Sequence, residues 1–242
     1  MQLPQSFTAV RSFASPPEQK AGGPPSPEAQ AGRLATFAAR ILFRQNASWQ
    51  GSVAWLEGGL EQSFRSALRN SYNTAAAQIL MTYVGVSRSV EYLHLMGIPD
   101  KNINADPFGL ALGSSGLTPV QMAVAFGTIA NKGVYQQPLS FSRIVDSNGN
   151  VVVDMHQQQD RHQVFKPSTA YLVVDMLKEA VQSGTGTKAK ISSQVVAGKT
   201  GTNSDSKGVF FAGMTGWYSG SVWIGHDNYK ALSSKTTGGN SA

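Results

Sequence analysis

The sequence predicts an α+β fold in which a helical body precedes an antiparallel sheet. Segments with helical periodicity and identifiable caps fill the chain from Ser63 to about Ser183. Short runs rich in β-branched and aromatic residues fill it from Gln194 to Ile224. Helices first and strands last describe segregated layers, whereas alternating βα units would imply a parallel sheet.

Residues 1–62 carry no assigned domain. From Ser15 to Pro27 the chain is rich in Pro, Gly, Ser and Glu, has almost nothing to bury, and reads as disordered. Between Arg33 and Phe43, Leu34, Phe37, Ala38, Ile41 and Leu42 share one helical face, with Arg33, Arg40 and Arg44 among them. That pattern suits a short helix docked on its own domain, or a helix lying on a membrane surface. Trp49 and Trp55, set among glycines, define no element.

From residue 63 the punctuation sharpens. Phe64 to Val84 reads as helical, broken at Ser71-Tyr72-Asn73, where poor helix-interior residues cluster. A helix is expected from a Ser87 cap to Met96, closed by Gly97. Another has Thr118 as cap, Pro119 in its first turn and Gly133 after its end. Phe141–Val145 and Val151–Val153 flank Asn148-Gly149, a strong hairpin signal. A long helix follows from a Ser168 cap through Tyr171, Leu172, Val174, Leu177 and Val181. Three strands are expected last: Gln194–Ala197 running into Lys199, Val209–Met214, and Ser219–Ile224. No internal repeat interrupts this order.

Composition narrows the function. The chain has 41% hydrophobic and 14% charged residues, the balance of an ordinary globular domain, and a net charge of +6. Its Lys and Arg residues are scattered, without the basic run interleaved with stacking aromatics that marks a nucleic-acid surface, so no nucleic-acid partner is expected. The absence of cysteine excludes disulfides, thiol catalysis and zinc-thiolate sites. The four histidines lack metal-ligand spacing, and no metal or cofactor is expected. The sequence holds neither an apolar stretch of about 20 residues nor a secretory leader pattern.

The sharpest chemical feature is Lys199-Thr200-Gly201-Thr202, placed directly after Val195-Val196-Ala197. As an edge strand it would line a groove for an extended peptide. Lys199 supplies a positive charge for a carboxylate and favours deprotonation of a nearby hydroxyl. The hydroxyls of Thr200 and Thr202 can bond the same carboxylate, and Gly201 lets another backbone approach closely. The Thr202 N–H is a candidate arm of an oxyanion hole. Ser71-Tyr72-Asn73 adds a hydroxyl able to relay a proton and an amide able to hold a substrate carbonyl. A structural role is open for the same residues, with Asn73 capping the helix that starts at Thr74.

These two motifs and the sequence around them resemble the transpeptidase domain of penicillin-binding proteins, in particular the bifunctional class A peptidoglycan synthases. Ser66-Ala67-Leu68-Arg69-Asn70-Ser71-Tyr72-Asn73-Thr74-Ala75 is similar to the segment that carries that family's second motif. Leu112-Gly113-Ser114, Leu117-Thr118-Pro119 and Ala130-Asn131-Lys132-Gly133 resemble its middle helix and flanks. Ser183-Gly184-Thr185-Gly186-Thr187 resembles the turn upstream of the third motif, and Val222-Trp223-Ile224-Gly225 resembles its closing strand. The resemblance covers about residues 63 to 232 in family order, so 63–242 is assigned as a partial transpeptidase domain.

The resemblance implies a helical body with an antiparallel sheet, shared with β-lactamases. It also implies acyl transfer from a D-Ala-D-Ala stem peptide through an acyl-serine, inhibited by β-lactams, without a cofactor. Ser71, Asn73 and Lys199 would be catalytic, and Thr200, Gly201 and Thr202 would bind substrate. The parent protein would work at the outer face of the bacterial inner membrane, held there by an anchor not present in this sequence. One departure is large. The family places a Ser-x-x-Lys nucleophile motif upstream of Ser71, and residues 1–70 contain none. The formal match Ser204-Asp205-Ser206-Lys207 falls in an expected hairpin loop. First sheet strands and a closing helix are also not recognisable, so an incomplete fold from a truncated or frameshifted gene, or from a fragment, is expected, with no catalysis by this chain alone. Alternatives are a non-catalytic module binding stem peptide or a partner, and a β-lactamase or D,D-carboxypeptidase relative.

Overall fold

The computed structural model describes residues 52–55, 61–203 and 206–242. The stretch expected to be disordered and the helix expected before residue 44 lie outside these residues.

Strands β1 (Ser52–Trp55) and β2 (Glu61–Ser63) form an antiparallel pair. Ser63 then caps α1 (Phe64–Asn70), its side chain accepting the Ser66 N–H. The break expected at 71–73 is real: α1 stops at Ser71 and α2 (Asn73–Ile79) starts two residues later, continuing as a π-helical turn, Leu80–Val84. Asn73 is the first residue inside α2, and Tyr72 precedes it as the cap residue, so the capping role expected for Asn73 is not the one observed.

Helix α3 (Val86–Leu95) begins two residues before expectation, with Gly85 at φ 83° in the cap position and Ser87 inside the first turn. Gly97 closes it as expected, in the left-handed region at φ 76°. Helix α4 (Pro107–Leu112) was not expected, because six residues are too few to show a period. Its signals are nonetheless local: Asp106 accepts the Gly109 N–H, Pro107 opens the first turn, and Gly113 ends it at φ 80°. Helix α5 (Pro119–Ala130) carries a full capping box. The Thr118 hydroxyl accepts the Gln121 N–H, and the Gln121 side chain accepts the Thr118 N–H.

Strand β3 (Val134–Gln136) pairs with β6 (Arg161–Gln163), and β4 (Arg143–Val145) pairs with β5 (Val151–Asp154) across the expected hairpin. The connection of that hairpin is five residues long. Asp146 accepts N–H groups from Asn148 and Asn150, and Gly149 takes the positive φ. Helix α6 (Pro167–Ser183) starts at Pro167 with Lys166 in the cap position, displacing Ser168 into the first turn, because the fixed φ of proline suits the first helical residue.

The C-terminal sheet has the order β7 (Ala197–Thr202), β8 (Gly208–Met214), β9 (Ser219–Gly225), all antiparallel. Gln194 bridges Ile191 and lies outside β7. β8 is buried along most of its length, which explains its continuous apolar run, whereas β9 is largely exposed. Helix α6 packs on β7 and α5 on β9. Leu177 of α6 meets Ala197 and Met214 there, with Leu68, Phe126, Ile129, Val173 and Val174 around them. Each large apolar side chain fully buried in this layer contributes about 1.5–3 kcal/mol.

Gly133 and Gly149 have nearly the same φ, 83° and 84°, but differ in surroundings. A Cβ at 133 would lie 2.1 Å from the Phe165 carbonyl oxygen, and one at 149 would meet nothing within 4 Å. Gly149→Ala is expected to cost about 1–2 kcal/mol from the left-handed backbone alone. Gly133→Ala is expected to cost at least about 2 kcal/mol more, because backbone must move. Urea unfolding of the two variants checks this, and equal losses would remove the steric account.

Candidate active site

The site forms where the end of α1, the turn after α6 and the start of β7 converge. Arg65 binds Asp175 at 2.7 Å and Glu179 at 3.2 Å, and Arg69 binds Glu179 at 3.1 Å, so one face of α1 is clamped to α6 by half-buried ion pairs. Lys178 adds a 2.7 Å contact to Asp175. The Lys178 ammonium, with the Arg65 guanidinium, holds the Asp175 carboxyl below the usual range against the opposing effect of burial. Behind this clamp the chain after α6 turns against the end of α1. The Thr185 N–H donates to the Arg69 carbonyl at 3.3 Å, and a Cβ at Gly184 would lie 2.4 Å from that oxygen.

That docking fixes where α1 ends. Ser71 closes the helix in the left-handed conformation, φ 60° and ψ 47°, donating its N–H toward Ala67 and Leu68, while Tyr72 N–H bonds the Ala67 carbonyl at 3.0 Å. A non-glycine residue in this region carries a strain of about 1 kcal/mol. The turn directs its Oγ at β7, where it accepts a hydrogen bond from Lys199 Nζ at 2.8 Å. Lys199 also donates to the Thr200 carbonyl at 3.1 Å.

The two motifs, 128 residues apart, therefore meet at one hydrogen bond. Beside them lies a cleft of about 200 Å³, bounded by Leu110, Leu112, Met122 and Phe126 on the helical side and by Lys199 and Gly201 on β7. Burial in this apolar setting pushes the Lys199 ammonium down to about 8. A lysine tuned this way exchanges a proton near neutrality, which an exposed lysine does not.

The remaining expected residues are placed differently. Thr200 Oγ1 lies 2.6 Å from Thr185 Oγ1. Thr202 Oγ1 accepts the Gly238 N–H at 3.0 Å. Both hydroxyls are thus anchored within the chain, and each keeps capacity for further hydrogen bonds. A backbone does approach Gly201 closely, and it is the chain's own: a Cβ on Gly238 would sit 2.3 Å from the Gly201 carbonyl oxygen. Asn73 occupies the first turn of α2 with its Oδ1 buried. Lys207 lies in the β7–β8 connection, and Ser204 is outside the described residues. Sequence reasoning missed Thr185 as the partner of Thr200 and missed the α1–α6 clamp. Neither has a local signal, although the Gly184-Thr185-Gly186 turn marked the place.

A family model described as the penicillin binding protein transpeptidase domain matches residues 39–241. Penicillin-binding protein 1A of Clostridium botulinum is 37% identical over 168 residues, which is 68% of this chain and 20% of that protein. The chain thus spans about a fifth of the length of that relative. The fold is similar to that of penicillin-binding protein 1A from Haemophilus influenzae, with a TM-score of 0.63 and 21% identity over 81% of this chain and 35% of that one. It is equally similar to PonA1 from Mycobacterium tuberculosis in complex with penicillin V, with a TM-score of 0.64 and 21% identity over 83% of this chain and 61% of that one.

The low Lys199 value has a consequence for stability. The unfolded lysine titrates near its ordinary 10.5, so between about 8 and 10.5 the unfolded chain binds more protons than the folded one. Stability should therefore rise with pH across that window, and the cost of burying the ammonium is fully present below it. Lys199→Met is expected to be more stable than the natural chain at pH 7 by about 1–3 kcal/mol, with the gap closing toward pH 10.5. Denaturant unfolding at a series of pH values measures it. A less stable Lys199→Met at pH 7 would contradict the buried-charge account.

Proposed function

Because this chain belongs to the penicillin-binding protein transpeptidase family, we propose that the cleft beside Lys199 is the substrate groove of a serine-type D,D-transpeptidase that crosslinks peptidoglycan stem peptides. The observation that carries this reading is the hydrogen bond from Lys199 to Ser71 across 128 residues of sequence.

In this assignment the Lys199 ammonium attracts the terminal carboxylate of a D-Ala-D-Ala stem, with the remaining capacity of the Thr200 and Thr202 hydroxyls beside it. An extended peptide would lie along the β7 edge beside Lys199 and Thr202, the space over Gly201 being taken by Gly238. The Thr202 N–H serves as an oxyanion donor, and the Asn73 amide holds the substrate carbonyl. Ser71 accepts a hydrogen bond from Lys199, which leaves its own O–H to donate. Where a nucleophilic serine outside this chain's assigned residues takes the acyl group, Ser71 would pass that proton to the departing D-Ala nitrogen and regain one from Lys199, whose value near 8 suits the exchange. β-Lactams would occupy the same groove.

The step that needs a nucleophile is different. No serine in residues 1–70 is followed three positions later by lysine. Ser71 has no lysine at that spacing either, because Thr74 stands there. We assign no acylated serine to this chain, so on its own it binds stem peptide without turning it over. This second reading, a reversible binding module, rests on that missing motif. For the parent protein we propose the outer face of the bacterial inner membrane. Among the described residues no helix is long and apolar enough to cross a membrane.

Incubation of the 242-residue chain with a fluorescent penicillin, followed by a denaturing gel and intact mass, is expected to show no covalent adduct. A stoichiometric adduct would refute the missing-nucleophile assignment, and its loss in Ser204→Ala would place the nucleophile in the β7–β8 connection. Calorimetry with an acyl-D-Ala-D-Ala peptide is expected to show reversible binding. Lys199→Ala should weaken it at least about tenfold, the scale of a lost charged hydrogen bond. Binding should also fall as pH rises through about 8, where the ammonium loses its proton. Unaltered affinity in Lys199→Ala would remove Lys199 from the groove.

A further inference from the structure

Helix α3 has no fully buried residue, so its hold on the rest of the chain rests on individual contacts. Its last turn meets the β3–β6 pair. A Cβ at Gly97 would lie 2.4 Å from the Tyr135 hydroxyl oxygen, so the chain leaving α3 passes directly over that ring. His162, the register partner of Tyr135, lies beside it with the ring centroids 5.1 Å apart. His162 Nε2 is 2.9 Å from the carbonyl oxygen of Leu95, 67 residues away in sequence. Leu95 is the last residue of α3, and its carbonyl is past the intrahelical ladder.

The second ring nitrogen has a partner of the same kind. His162 Nδ1 is 3.0 Å from Asp160 Oδ1. A carbonyl oxygen and an ionised carboxylate both accept and have no hydrogen to give. Neutral imidazole carries one N–H and one lone pair, so it can serve only one of them, and both bonds together require the imidazolium. On deprotonation the remaining N–H stays with the carboxylate, the stronger acceptor. The Nε2 lone pair then faces the Leu95 oxygen, and the contact that closes the helix becomes a repulsion. The negative end of the α3 dipole favours the cation at the same point.

The surroundings leave this charge change to His162. Asp160 is fixed through its backbone, its N–H donating to Gln137 Oε1 at 3.2 Å and its carbonyl accepting the Gln137 N–H at 2.9 Å. Burial, with Asp160 nearby, raises the Tyr135 phenol above its ordinary 10, so it stays neutral. His94, in the last turn of α3, is occupied with Asp100 at 2.7 Å. The hydrogen bond to Asp160 raises His162 above its ordinary 6.5 against the opposing effect of burial, and the Leu95 carbonyl adds to the rise. The contribution to stability is therefore fully present below 6.5 and is lost as pH rises through the raised value.

We propose that His162 is a pH-sensitive latch between the C-terminus of α3 and the β3–β6 pair, closed as imidazolium and open as neutral imidazole. The last turn of α3 and the Met96–Ile98 turn loosen as the medium moves from mildly acidic to mildly alkaline. The latch shares no residue with the lining of the Lys199 groove and does not depend on the function proposed there.

Hydrogen exchange of the 242-residue chain at about pH 5.5 and about pH 8, corrected for the intrinsic pH dependence of exchange, tests the latch. The amides of Met96, Gly97 and Ile98 bond the carbonyls of Tyr92, Leu93 and His94. They are expected to lose protection at least about threefold, the scale of a cation at a helix C-terminus, while the amides of α5 keep theirs. The His162 ring should titrate in step, with a midpoint above 6.5. In His162→Gln the protection should be flat with pH. Asp160→Asn should lower the ring midpoint, which a purely structural role for Asp160 would not do. Protection that is flat in the natural chain, a His162 midpoint at or below 6.5, or an unmoved midpoint in Asp160→Asn would each overturn the proposal. So would pH dependence that survives His162→Gln, and its disappearance in His94→Gln would move the switch to the His94–Asp100 pair. The ring titration and exchange of the natural chain decide the matter even where His162→Gln does not fold.

Discussion

Burying the ammonium of Lys199 opposes folding, and the surrounding architecture is what makes the burial possible. Among the described residues the ammonium donates to Ser71 Oγ and the Thr200 carbonyl, in a wall that includes Leu110, Leu112, Met122 and Phe126. Removing one partner of a buried charge usually costs more than the pair contributes. The position of Ser71 is therefore constrained from several directions: by the left-handed close of α1, by the Arg65 and Arg69 clamp to α6, and by the Gly184 turn against the Arg69 carbonyl. Of these, the left-handed Ser71 is the placement that carries strain.

The same packing explains the tuning of the lysine. Desolvation moves its pKa toward neutrality, and the hydroxyl facing it is the group such a lysine would exchange a proton with. A surface lysine at the same point of β7 would hold a carboxylate but not pass a proton at neutral pH.

The C-terminal sheet distributes its two edges unequally. β7 is buried at Ala197, Gly198 and Gly201, with Gly238 seated against Gly201 and Phe210. β9 is open, with Val222 and Ile224 partly exposed and the β8–β9 turn projecting Trp217 and Tyr218.

Much of the local architecture was legible in the sequence because its causes act within a few residues. The Thr118 cap and Pro119 at the start of α5, Gly97 and Gly133 after their helices, and the apolar run of β8 each depend on side chains or dihedrals close at hand. Where local signals competed, the neighbour with the stiffer backbone prevailed: Pro167 set the start of α6 and displaced the Ser168 cap. The Lys-Thr-Gly strand and the Ser-x-Asn break were visible for the same reason, as a strand after an apolar run and a gap between two helices. Only the tertiary structure decided that Lys199 reaches Ser71, that Thr200 pairs with Thr185, and that Gly238 fills the space over Gly201. Those contacts join residues far apart in the chain, and their geometry is set by how α1, α5 and α6 pack on the sheet, which no short window of sequence contains.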